Sequence, residues 1–249
     1  MKQKDKKEPI IVYWSPFAYL DRTTHVNLLW GAPIRVPSIL GSHPKEKSSS
    51  YLSCTAFTTF YKNCYALIQP FDSSITIEPS QLKDTLPNKA YIEGHHVWTV
   101  QHQALKDRAR VTYGFNWVFF SEEPLDLLIT PPYLHNTSAD KGGALAAGSY
   151  DISRWFRPID LAYILWEGSN EVKIKKGEPA CYLHFLTDRP VKLVQFELTS
   201  DLFYIGEQCV ELKSVMKYKS LSFLYDIFTR SNRHKAVLKI IKENLLDNV

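Results

Sequence analysis

The densest run of chemistry-bearing side chains is Gly148-Ser149-Tyr150-Asp151-Ile152-Ser153-Arg154-Trp155-Phe156-Arg157-Pro158. A carboxylate, a hydroxyl and two guanidinium groups this close can hold an anionic or sugar-like ligand, because hydrogen bonds with an ionised partner are the strong ones. Read as a strand, the segment puts Asp151, Ser153 and Trp155 on one face and Arg154 on the other. Asp151, Ser153, Arg154 and Arg157 are therefore the candidate ligand-binding residues, with Asp151 the candidate catalytic group. The competing reading is an ion-pair ladder at a sheet edge, in which the same groups satisfy one another. Arg157 ranks below Asp151 and Arg154. A residue before proline is biased to extended backbone, which turns Arg157 away from the other two.

The histidines form a second cluster, His95-His96 and then His102. On a strand His96 and His102 share a face and His95 takes the other. Two or three imidazoles on one face would suit zinc, iron or manganese, which makes His95, His96 and His102 the metal candidates. The plainer reading is polar strand residues. A cupin pattern needs H-x-H and a following Glu, whereas Val97 and Trp98 fill those places. No metal or other cofactor is expected. None of the eight histidines has an acid two residues on, as a two-His–one-carboxylate iron site requires. The H-E-x-x-H and G-x-S-x-G patterns are absent. Gly143 to Gly148 spans a G-x4-G, but Ser149 follows where a phosphate loop needs Lys.

Cys54, Cys64, Cys181 and Cys209 include no C-x-x-C pair. They read as reduced core thiols rather than a disulfide framework or a zinc site. The polar start MKQKDKKEP lacks the apolar stretch of a signal peptide, and no run approaches a membrane span. The expectation is a soluble cytoplasmic protein with no membrane partner. From Glu211 onward eight Lys/Arg face four Asp/Glu. That modest basic tail is compatible with nucleic acid and equally with plain solubility. A homo-oligomer and an anionic small molecule are the other partners considered.

The elements that position these residues are mostly strands. The 249 residues are 45% apolar and 13% aromatic with few glycines, which favours a large β core. Strands are expected at 10–14, 64–69, 74–78, 96–103, 110–121, 126–130, 149–156, 161–166, 172–175, 180–187 and 191–198. The 64–69 and 74–78 strands are joined by Pro70-Phe71-Asp72. Residues 31–53, 81–94 and 135–148 read as irregular connections, and 54–63 as a short helix or turn. From Lys219 the apolar period becomes helical at Leu221, Leu224, Tyr225 and Phe228. A second helix starts near Arg233 and carries Lys235, Lys239 and Lys242 on its polar face. The expected fold is mostly β: an antiparallel sandwich, jelly roll or β-clip-like core with two C-terminal helices. The expected layout is a disordered basic tail over 1–8, a β-rich domain over 9–212 and a helical hairpin over 213–249 packed on it.

Two resemblances bear on function. Gly148-x-x-Asp151, a strand, and then Val172 to Phe185 around Lys176-Gly177-Glu178-Pro179 resemble the β-clip core of dUTP pyrophosphatases and dCTP deaminases. That resemblance implies a tight turn at Gly177, core positions at Leu183 and Phe185, and a catalytic role for Asp151. Arg154 stands where that family has a sugar-stacking tyrosine, Phe156 where it has glycine, and Tyr182 where it has glutamine. Over a longer span, Cys54-Thr55-Ala56-Phe57, Asn63, Pro70-Phe71-Asp72 and Thr187-Asp188-x-x-Val191-x-Leu193-x-Gln195-Phe196 resemble an uncharacterised family of tailed-phage proteins. That resemblance implies an accessory protein in the host cytoplasm and names no active site. Three functions follow: a non-catalytic accessory or binding protein, an enzyme or sensor for a nucleotide or sugar phosphate, and a virion component.

Overall fold

The computed structural model describes residues 7–17, 31–40, 54–76, 88–91, 97–102 and 109–246. Its strands are β1 (Ile10–Pro16), β2 (Ile34–Arg35), β3 (Cys64–Ile68), β4 (Ser73–Thr76), β5 (Asn88–Tyr91), β6 (Val97–His102), β7 (Ala109–Ser121) and β8 (Asp126–Thr130), then β9 (Gly143–Leu145), β10 (Gly148–Asp151), β11 (Pro158–Leu165), β12 (Glu171–Ile174), β13 (Pro179–Phe185) and β14 (Val191–Gln195). The helices are α1 (Val36–Ile39), α2 (Thr55–Phe60), α3 (Ser200–Val215), α4 (Leu221–Arg230) and α5 (Arg233–Glu243). The chain is mostly β with a helical C-terminus, as its composition and the change of apolar period after Lys219 imply.

One sheet runs β14-β1-β7-β11-β9, with β6 and then β5 added beside β7. The length of β7 explains the branch. Its first half pairs with β6 and its second half with β1, while β11 takes the other edge. The second sheet runs β10-β8-β13-β3-β2, and β12 pairs with β4 separately. Among the described strands neither sheet closes into a barrel. Among the described strands the pairings are antiparallel except β1 with β14, which run parallel.

The sheets face each other across the main core, and side-chain alternation decides which residue enters it. Trp14, Trp117, Phe119, Leu127, Leu161, Leu183 and Phe185 point inward. Their neighbours Tyr13, Val118 and Phe120 point outward, into a second core closed by α3, α4 and α5. The far face of the second sheet, with Cys64, Ala66 and Tyr182, lies under Val36, Tyr61 and Phe57. Strand β13, covered on both faces, is buried along its whole length.

Several expectations need correction. Three helices form the C-terminal layer, not two, and the expected boundary at 213 falls inside α3. The stripe that α3 buries is Leu202, Gly206 and Cys209, two of them small, so it gives little apolar periodicity. The strand expected over 149–156 ends at Asp151. Irregular segments hold β2 and α1, β5, and β9. Strands β3 and β4, though joined by Pro70-Phe71-Asp72, do not pair with each other: β3 lies on β13 and β4 on β12. At the N-terminus Lys7 pairs with Asp188, and the backbone oxygen of Glu8 accepts from Arg189, so those two residues are docked. The remainder of the expected tail, 1–6, lies outside the described residues.

Candidate functional site

Asp151 ends β10, and a short polar side chain at that position captures the backbone that follows it. Its Oδ1 accepts from the Ser153 amide at 3.0 Å, the Ser153 hydroxyl at 2.6 Å and the Arg154 amide at 3.1 Å. Its Oδ2 accepts from Arg154 Nε at 2.6 Å. This turn replaces the last residues of the expected strand. It brings Arg154 back onto Asp151 instead of leaving it on the opposite face. Burial alone would raise the Asp151 carboxyl, but the hydrogen bonds from Ser153 and Arg154 prevail and hold it below the ordinary aspartate range.

Arg154 then reaches the helical layer. Its guanidinium carbon sits 5.4 Å from the centre of the Tyr225 ring, and Nη1 lies 3.6 Å from Asp226, both on α4. The Asp151 amide donates to the Tyr225 hydroxyl at 3.4 Å. Arg157 goes elsewhere, as its place before Pro158 implies. It pairs with Asp160, and its Nε donates to the Pro158 carbonyl at 3.1 Å. Of the four candidates, Asp151, Ser153 and Arg154 converge and Arg157 does not. The converging three bond to one another and to α4.

Of the histidine candidates, His95 and His96 lie outside the described residues. His102 is the last residue of β6, opposite Ala109. Among the described residues no group of three His, Cys, Asp or Glu side chains is placed to hold a metal ion. A histidine pairing that the sequence did not flag lies on the far face of the second sheet. His184 Nε2 is 3.5 Å from Cys64 Sγ and 3.2 Å from Thr130 Oγ1. A cysteine beside a histidine has the composition of a nucleophile and base. Burial works against that chemistry, raising the Cys64 thiol well above its ordinary value and lowering His184. Burial thus favours the neutral thiol and the neutral imidazole over a reactive ion pair. His135, also lowered by burial, pairs with the Tyr182 hydroxyl.

The described surface carries a broad polar cleft, of about 670 Å³, lined by Ser138, Lys141, Trp166, Glu171, Lys173 and Lys175 among others. Its floor is pinned from three sides. Thr137 and Asp140 form a reciprocal cap on the single 3-10 turn Ser138–Lys141. Glu178 accepts from the Ser138 amide at 3.0 Å, its hydroxyl at 2.8 Å and the Lys175 amide at 3.1 Å. Gly142 lets this segment touch β12, since a Cβ there would stand 1.9 Å from the Glu171 carbonyl oxygen. None of Asp151, Ser153, Arg154 or Arg157 lines the cleft. The sequence shows its walls only as turn signals: Lys141-Gly142-Gly143, Gly168-Ser169-Asn170 and Lys176-Gly177.

On the basic C-terminal face, Lys242 of α5 bonds Glu122 at 2.6 Å and Lys239 lies 3.9 Å from Glu243. Two of its three lysines are thus engaged within the protein. No helix among the described residues is long and apolar enough to cross a membrane. Compared with known proteins, the chain matches no family model and no curated protein.

Proposed function

We propose that this protein is a non-catalytic binding protein, acting as the accessory protein that its resemblance to a tailed-phage family implies. The observation that carries this reading is the state of Asp151. Its four accepted hydrogen bonds equal in number the roughly four acceptor sites of a carboxylate. A carboxyl held below the ordinary aspartate range is also a poor proton acceptor, because a general base works best with a pKa near the operating pH. Asp151 and Arg154 therefore serve as a strap between the β10–β11 turn and α4. The buried free thiols Cys64, Cys181 and Cys209 support a reducing compartment such as a cytoplasm.

The test is turnover. The protein is incubated with nucleoside triphosphates, deoxynucleotides and sugar phosphates, and products are separated by chromatography. The expected result is no product above the buffer control, for wild type and Asp151→Asn alike. Turnover that disappears in Asp151→Asn would replace this reading with the enzyme one.

A further inference from the structure

We infer that the cleft between the 3-10 turn, the Trp166–Asn170 turn and β12 binds a phosphorylated ring compound, with Trp166 as the ring platform and Lys141 and Lys175 as the phosphate clamp. This rests on the binding-protein reading and names the ligand class and the site. A volume of about 670 Å³ falls within the usual span of small-molecule sites.

Trp166 supplies the first half of the recognition. It is 41% exposed, while its Nε1–H donates to the Asp140 carbonyl at 2.7 Å. The polar edge of the ring is thus tied to the wall, and its orientation is set before any ligand arrives. A fixed, wet aromatic surface stacks planar bases, which gain from it whatever their identity.

The lysines supply the second half. Lys173 is paired with Glu171 at 2.9 Å, and Glu171 also accepts from the Ser74 hydroxyl at 2.9 Å, so these two belong to the wall. Lys141 and Lys175 are exposed and form no ion pair among the described residues. Lys175 does lie near Glu178, whose carboxylate is already taken by Ser138 and the Lys175 amide. A phosphate monoester carries about −1.5 to −2 charges at neutral pH, which matches two ammonium groups better than a single carboxylate does. Glu167 on the rim opposes an anion and is the one lining carboxylate without a partner among the described residues. Because the walls are already pinned, little ordering is needed on binding.

The experiment is calorimetric titration of the full chain with adenosine monophosphate and glucose 6-phosphate, and with adenosine, glucose and inorganic phosphate as their parts. One of the two esters is expected to bind more tightly than about 1 mM, and each of its parts at least about tenfold more weakly. The ester that binds tells a base-stacking ligand from a sugar-stacking one. Trp166→Ala, and separately the surface pair Lys141→Ala/Lys175→Ala, should each weaken binding by about tenfold or more, while Glu167→Gln strengthens it. Arg154→Ala should leave the affinity unchanged. Binding of neither ester, binding that survives both sets of variants, or binding lost in Arg154→Ala would each overturn the assignment. Turnover of a bound ester would overturn the non-catalytic reading while leaving the cleft assignment intact, and absence of binding does the reverse.

Discussion

At the residue scale, the same chemistry that makes a side chain a candidate for catalysis lets it satisfy its own backbone. Asp151, Ser153 and Arg154 were legible as a cluster because charge and hydroxyl density is a property of sequence. Which way the cluster faces was not, because a strand continuing to Phe156 and a turn capped by Asp151 have the same residues. The turn prevails since one carboxylate answers two backbone amides that a strand end would leave without partners. The pairing of His184 with Cys64 and Thr130 was hidden for a different reason: its members come from three strands far apart in sequence. It makes a pH prediction. Burial holds the folded His184 pKa below its unfolded value of about 6.5, so below that pH the unfolded chain binds more protons than the folded one. Stability from this group is therefore lost as pH falls from about 6.5 toward the folded pKa. Urea unfolding of wild type and His184→Gln between pH 7.5 and 5.5 checks this, the wild type being expected to lose more stability over that range. Equal slopes would contradict it.

At the element scale, packing depends on small residues that periodicity does not weigh. Gly206 in α3 faces Phe17, and a Cβ there would lie 2.4 Å from a carbon of the Phe17 ring. That ring is buried and stacked on Phe203 at 5.1 Å, so it has little room to retreat. Gly206→Ala should gain about 1 kcal/mol of helix propensity and lose about 1–3 kcal/mol to overpacking. The net is a lower melting temperature, measurable by circular dichroism; a rise would show that the Phe17 contact yields easily. The strands with strong alternation or β-branched and aromatic runs, β7, β8, β11 and β13, lie where the sequence puts them to within a few residues. The short β2, β5 and β9 do not announce themselves, since two to four residues carry no measurable period; β2 and β9 also take partners well separated in sequence, while β5 pairs with the next strand, β6. Asn232, at φ 57°, joins α4 to α5 in the left-handed conformation that Asn tolerates well, and α5 begins at Arg233, where the sequence puts the second helix.

At the scale of the whole molecule, one sheet shares its two faces between a partner sheet and a helical layer. The cysteines sample this arrangement. Cys181 is in the main core, Cys209 in the helical core and Cys64 under α1 and α2, while Cys54 is exposed at the start of α2. Burial raises the three interior thiols, Cys209 to about 12. A thiol reagent should therefore modify one group quickly in the native protein and four after denaturation without reductant. Two or none after denaturation would contradict the free-thiol assignment. The helices attach to the sheets through apolar packing, the Lys242–Glu122 pair and the strap of Asp151, Arg154, Tyr225 and Asp226, and the binding-protein account depends on the last of these. Its most direct test is the melting temperature of Arg154→Ala, measured beside its affinity for the phosphate esters. The strap is half-exposed at Arg154, so the loss expected is modest, about 1 kcal/mol or 2–4 °C, with ligand affinity unchanged. An unchanged melting temperature together with lost affinity would contradict the account and make Arg154 a ligand-binding residue.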